Sequence, residues 1–374
     1  TNMYNVAVGA SAGAAVTTGI YNTLVGSLAG DALTEGQQNV AMGYLALSAD
    51  TKGKLSVAIG NNALASQNFT TLTNVMNVAV GYDAGTSVTT AVENTLIGAT
   101  AGDALTTGGS NVAVGFGALT TEDTGSRNVA IGYEALENQN SDTTNYNVVV
   151  GYQAGRNVTT GIQNTFLGAL AGDALTDADY NVAIGTSALG ADTLGSRAVA
   201  IGRNALIVQN FTTATNNYNV AVGYNAGSHV TTATNSTLIG GLAGGEITTG
   251  SGNTFVGTES GDAVTIGNSN VAVGHKSLTT EVAGDRSVAL GFQALALQTN
   301  STTVDVYNVG VGYNAGYSIT TGKQNTLIGG LAGDALQDAD FNVAIGYSAL
   351  TSDTLGNRSV AIGYEALENQ NFTT

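Results

Sequence analysis

Short alternations of apolar and small or polar residues recur along the whole chain, and each ends on glycine. Asn5-Val6-Ala7-Val8-Gly9 is the first. Five residues are too few for a helix. The Val-Ala-Val step has a strand's period of two, and β-branched residues suit a pleated surface. Equivalents of Asn5 stand at 22, 39, 56, 77, 94, 111, 128, 147, 164, 181, 198, 219, 236, 253, 270, 287, 308, 325, 342 and 359, giving 21 copies. Of the 20 spacings, 16 are 17 residues, three are 21 and one is 19. One short strand per copy at fixed spacing predicts a chain that coils and stacks on itself. The expected fold is all-β: a parallel β-solenoid of about 21 rungs of 17 residues, a few of 19–21, with residues 1–374 as a single continuous repeat array.

Each position of the rung, counted from the Asn, carries its own constraint. Position one is Asn in 16 copies, Ser in four and Ala once. Its amides, from Asn5 onward, are expected to form a ladder between rungs. Positions two and four share one side of the strand, and we read them as aliphatic ladders facing the interior. Position five is Gly in all 21 copies, among them Gly9, Gly26, Gly43, Gly60, Gly81, Gly132, Gly223 and Gly363. It suits a corner with positive φ, or a place with no room for a Cβ. Position eight is Ala in 19 copies and Ser in two, which suits close backbone approach. Absence of proline fits a chain whose N–H groups are taken up in ladders.

A longer period is superposed. Four kinds of rung follow one another: "NVAVGYDAGTSVTTAVE", "NTLIGATAGDALTTGGS", "NVAVGFGALTTEDTGSR" and "NVAIGYEALENQNSDTTNY". The fourth kind carries the extra residues. The chain opens on the tail of one fourth-kind rung and stops within another, as expected of a section of a longer fibre.

Composition narrows the function. Two Val-sized side chains and a few alanines per rung offset only part of the ordering entropy, so partner chains sharing an outer face are expected. A homotrimer, intertwined or side by side, is the form we infer. The net charge of −17 and the thin scatter of ten basic residues exclude a phosphate-binding stripe, so no nucleic-acid partner is expected. No apolar run is long enough to span a membrane. Two histidines in unlike contexts, no cysteine and no nucleophile, phosphate-loop or metal-ligand motif argue against an enzyme; no catalytic, metal or cofactor residue is assigned.

Three stretches, "SVAIG" followed by "xxAL" at 56–64 and 359–367 and "NVAIGTSAL" at 181–189, resemble head repeats of trimeric autotransporter adhesins of the YadA type. Similar repeats fill fibre proteins of tailed phages. The resemblance covers all 21 copies, with longer rungs here. It implies a left-handed β-roll in which three chains pack about a threefold axis. The Tyr-containing wording reads more like a phage tail fibre, a virion structural protein that holds a receptor-binding tip for host attachment. Its partners would be itself and other fibre or tail proteins. The alternative is a bacterial trimeric surface adhesin whose repeat face binds host or matrix.

Candidate contacts lie where the period breaks. The fourth-kind loops at 66–76, 138–146, 209–218 and 298–307 are rich in Asn, Thr and Gln. Asn68, Thr70, Asn140, Thr143, Asn210, Thr212, Asn300 and Thr302 are the residues expected to meet a cell-surface glycan or a neighbouring fibre protein, against the plainer reading of a bulge packed on the next rung. Tyr follows the rung Gly at 44, 82, 133, 152, 224, 313, 347 and 364 and is expected to cover neighbouring rungs or line a chain–chain seam. Asp31, Asp103, Asp173, Asp262 and Asp334 of "GDAL" and "GDAV" read as solvated turn residues. Asp123 with Arg127, Asp192 with Arg197 and Asp353 with Arg358 read as acid–base pairs across a turn or between chains.

Overall fold

A computed structural model describes residues 3–373. The chain is an all-β parallel solenoid of about 21 turns with no helix among the described residues. Accordingly, no helix is long and apolar enough to cross a membrane. The chain divides into two compact units between Asn181 and Val182.

The first unit holds ten three-residue strands, one per rung, from Val6–Val8 to Thr165–Leu167. Each pairs in parallel with the next in chain order, position on position: Val6 with Thr23, Thr23 with Val40, Val40 with Val57. The second unit holds eleven, from Val182–Ile184 to Val360–Ile362, stacked by the same rule. Two-residue strands add a second pairing at three fourth-kind loops: Gly53–Lys54 with Thr73–Asn74, Gly195–Ser196 with Thr215–Asn216, and Gly284–Asp285 with Val304–Asp305.

The strand faces are the reverse of the sequence expectation. Position three, not two and four, points inward: Leu24, Ala41, Ala58, Leu96 and Phe166 are fully buried. Positions two and four lie on the outside, half-buried or exposed, as at Ile97, Leu167, Ile239 and Ile328. The interior is filled by positions three, nine and twelve, whose volumes trade off. Second-kind rungs place Leu24, Leu96 or Phe166 at position three and Gly30, Gly102 or Gly172 at position nine. Third- and fourth-kind rungs place Ala at three and Leu47, Leu64 or Leu119 at nine. A Cβ on Gly30 would lie 2.8 Å from Leu24 Cδ2 and 2.9 Å from Leu33 Cδ1. On Gly85 it would lie 2.6 Å from Leu96 of the next rung. The four-rung period is therefore a packing period: a large residue in one rung needs a small one beside or above it.

Position-one amides run down the inside of the stack. Asn22 Nδ2 donates to Gly36 O at 2.9 Å, and Asn22 Oδ1 accepts from Asn39 N at 3.1 Å. The second unit repeats this at Asn253 and Asn270, at 2.8 and 2.9 Å. The small residue at position fifteen is thus the acceptor of the amide, and it too stacks closely: a Cβ on Gly19 would lie 2.4 Å from Gly36 O. Position-five glycines answer both requirements raised above. Gly132 has φ +140, and a Cβ there would lie 2.2 Å from Gly151 O on the next rung.

Gly132→Val should therefore lower stability by about 3 kcal/mol or more, since neither φ nor the backbone neighbour can yield cheaply. Gly241, with no positive φ and nothing within 4 Å of its would-be Cβ, is the control. Gly241→Ala should stay within about 0.5 kcal/mol of the native chain by differential scanning calorimetry.

Candidate functional site: the period-breaking loops and the outer face

Position twelve reads Val or Ile in first-kind rungs and an aliphatic in second-kind rungs, then turns polar. It is an acid in the third (Asp50, Glu122, Asp192, Glu281, Asp353) and Gln in the fourth (Gln67, Gln139, Gln209, Gln298, Gln370). All five acids are buried, and none is bonded to a cation in the structure described. Their partners are N–H groups. Asp50 accepts from Gly53 N at 3.0 Å, Phe69 N at 3.1 Å and Gln67 Nε2 at 2.6 Å. Asp192 repeats this with Gly195 N, Phe211 N and Gln209 Nε2. Glu281 accepts from three successive backbone N–H groups, of Val282, Ala283 and Gly284, and from Asn300. A concentrated set of donors lets a carboxylate lie out of water without a counter-ion.

Gln completes the circuit and explains four of the five exceptions at position one, Ser56, Ala198, Ser287 and Ser359; Ser236 lies in a second-kind rung, where position twelve is Ile247. Gln67 Nε2 donates to Ser56 Oγ at 3.1 Å, and Gln67 Oε1 accepts from Asn77 Nδ2 at 3.0 Å. Gln209 Oε1 accepts from Asn219 Nδ2 at 2.9 Å across Ala198. In the fourth-kind rung Gln takes over the ladder, so Ser or Ala suffices where Asn would crowd it. Asn128 shows the crowding: it keeps Asn at this place, and its Nδ2 is buried with no hydrogen-bond partner.

The loops therefore pack down over these carboxylates. Phe69, Ser141, Phe211 and Asn300 occupy the same place and are buried. Asn300, expected at the surface, is thus a correction: Thr299 occupies the exposed place that Asn68, Asn140 and Asn210 hold elsewhere. Asn68, Thr70, Asn140, Thr143, Asn210, Thr212 and Thr302 are exposed. Asn68 and Asn210 accept from Thr51 and Thr193 of the preceding rung at 3.1 and 3.0 Å.

Two acid–base pairings are corrected as well. Asp192 and Asp353 turn inward to glutamine and backbone N–H groups, and the arginines turn to aromatic rings. Arg127, Arg197 and Arg286 lie over Tyr146, Tyr218 and Tyr307, which end three of the loops, and Arg358 lies over Phe341. Nor are the "GDAL" aspartates simply solvated. They are half-buried, and Asp103, Asp262 and Asp334 accept from Thr120, Thr279 and Thr351 of the next rung.

Burial pushes the carboxyls of Glu122, Asp192, Asp103, Asp173, Asp262 and Asp334 above their ordinary values, partly opposed by hydrogen bonds.

The family described as the YadA head domain repeat matches residues 52–71, 283–302 and 343–366. Each matched segment contains a fourth-kind strand: Val57–Ile59, Val288–Leu290 or Val360–Ile362. The chain thus carries YadA-like head repeats on a β-roll. No curated protein matches it.

Asn128→Ser, which restores the arrangement at Ser56 and Ser287, should raise stability by about 1 kcal/mol by removing the orphaned amide. Chemical denaturation measures it. The raised carboxyls set the sign of the pH dependence. A group that holds its proton more tightly folded than unfolded adds stability below its unfolded pKa and loses it as pH rises through the folded value. The melting temperature should therefore fall as pH rises from about 4, the ordinary value of these carboxyls.

Proposed function

We propose that the chain is a rigid segment of a homotrimeric surface fibre, in which residues 1–374 are one stretch of repeats. The observation that carries this reading is the outward face of positions two and four. Rung after rung presents Val, Ile, Leu, Met or Thr there, in register and without a covering layer. Monomeric soluble proteins rarely leave so continuous an apolar surface in water. Covering it with the same surface of sister chains supplies the burial that the thin interior lacks. YadA-like domains form trimers, which supports three copies over two.

The role follows from the mechanics of such a stack. Backbone ladders, amide ladders and shared apolar faces resist bending and leave few openings for proteases. In a phage tail fibre, outside the cell and part of the virion, the segment would hold a receptor-binding tip away from the particle, joined to other fibre or tail proteins. The match to the YadA head repeat favours a second reading, a bacterial surface adhesin whose repeats meet host or matrix directly. Both are extracellular structural roles, and neither calls on catalysis.

Light scattering of the purified chain should give three times the 37.3 kDa chain mass. Placing charge in the outward columns with Ile97→Lys and Ile328→Lys should shift it toward monomer. A monodisperse native monomer would sink the trimer.

A further inference from the structure

Position six lies just beyond the corner glycine, and its side chains form an outward column in each unit. Where consecutive rungs carry rings, the rings stack. Phe116, Tyr133 and Tyr152 do so with centroids 5.5 and 5.4 Å apart and planes within 15°. His275, Phe292 and Tyr313 repeat the stack at 5.6 and 5.4 Å. Second-kind rungs interrupt the column with a small residue. Ala99 stands between Tyr82 and Phe116, and Gly330 between Tyr313 and Tyr347. Rings flanking such a gap are two rungs apart, about 9.6 Å at an interstrand spacing of ~4.8 Å.

Exposure records the opening. Tyr133 and Phe292, with a ring on either side, are 43% and 42% exposed. Tyr82, Phe116, Tyr313 and Tyr347, each bordering a gap, are 51–57% exposed. The floor is a methyl group at Ala99 and backbone alone at Gly330, where an added Cβ would make ordinary contact, 3.4 Å, with Tyr347 Cδ2.

We propose that each gap, Tyr82–Ala99–Phe116 and Tyr313–Gly330–Tyr347, binds one pyranose ring of a neutral glycan between two aromatic faces. The faces carry the negative side of the ring quadrupole and attract the polarised C–H groups of a sugar's apolar face. A saturated ring with axial hydrogens is thicker than an aromatic one. Two interstrand spacings are looser than a planar ring sandwiched at van der Waals contact needs, so the gap fits the sugar better. Tyrosine hydroxyls at the rim can donate to and accept from sugar hydroxyls. The net charge of −17 disfavours anionic glycans. The site uses position six alone, apart from the position-two and position-four columns assigned to chain–chain contact, and holds for either kind of fibre.

Saturation-transfer NMR on the full-length assembled chain tests this. The probes are the methyl glycosides of glucose, galactose, mannose and N-acetylglucosamine, with p-cresol as the planar control. At least one neutral glycoside should bind. The double variant Ala99→Phe/Gly330→Phe fills both gaps with the chain's own rings. It should weaken that binding by at least about tenfold, with circular dichroism and solution mass unchanged. Should the filled variant misfold, Tyr82→Ala/Tyr313→Ala opens each sandwich from one side and should give the same loss. The proposal is overturned if no neutral glycoside binds or if the folded variants bind as the native chain does. It is also overturned if p-cresol outcompetes every glycoside, which would point instead to an aromatic side chain of a partner protein. Solution mass, read on the same samples, keeps a failed trimer distinct from a failed sugar site.

Discussion

Within each unit, nearly every residue sits one interstrand spacing from the residue that plays its part in the next rung. This like-on-like stacking decides which chemistry each position can hold. A primary amide tolerates its own copy because it donates in one direction and accepts in the other, which is how Asn22 is joined to Asn39. Aromatic rings tolerate it by stacking, as Phe116, Tyr133 and Tyr152 do. The corner glycine is required because its neighbour's carbonyl oxygen occupies the place of a Cβ. A buried carboxylate cannot stack on another without repulsion. The acids of position twelve accordingly appear once in each repeating unit, each followed by a glutamine, which donates to Asp50, Asp192, Glu281 and Asp353, while Glu122 accepts from Asn145 instead.

The same constraint makes four rungs, rather than one, the true repeat. Leu24 above Leu47 is possible because Gly30 and Ala41 give way in turn. Identical rungs would bring large residue onto large residue or leave small facing small, at the cost of strain or a void. The fourth-kind loop belongs to this arrangement. It supplies the backbone N–H and the glutamine that a buried Asp50 or Asp192 needs, and it covers the carboxylate with Phe69 or Phe211.

Period, parallel stacking and the role of Gly132 were legible in the sequence, because they depend only on spacing and on the one residue without a side chain. Which strand face points inward was not. Hydrophobicity alone assigns Val and Ile of "NVAVG" to the interior and Ala to the outside. The interior of so narrow a coil is instead shared among positions three, nine and twelve, and a branched residue at three in every rung would overfill it. The signal that could have revealed this is the anticorrelation between positions three and nine, Leu96 with Gly102 against Ala113 with Leu119. The loops misled in a related way. Their polar composition suggested solvent contact, yet Gln67, Gln209 and Asn300 are polar because they face a buried charge. Asn300 was misplaced because Gln298-Thr299-Asn300 aligns with Gln67-Asn68-Phe69 by structure, not by residue type.

The inversion of the strand faces also changes where function can reside. Had the aliphatic columns been inside, the outer surface would have been polar turns, and the loops its only distinctive feature. With them outside, that surface is ordered from the strand outward. Aliphatic columns at positions two and four suit a sister chain. Aromatic columns stand at position six beyond the corner, broken at Ala99 and Gly330 where second-kind rungs intervene. A feature that recurs on every rung, such as the aliphatic columns, can serve only something as long as the stack itself. A ligand the size of one sugar ring requires a feature that interrupts the stack, and two second-kind rungs of the packing period, at Ala99 and Gly330, place such an interruption between aromatic rings.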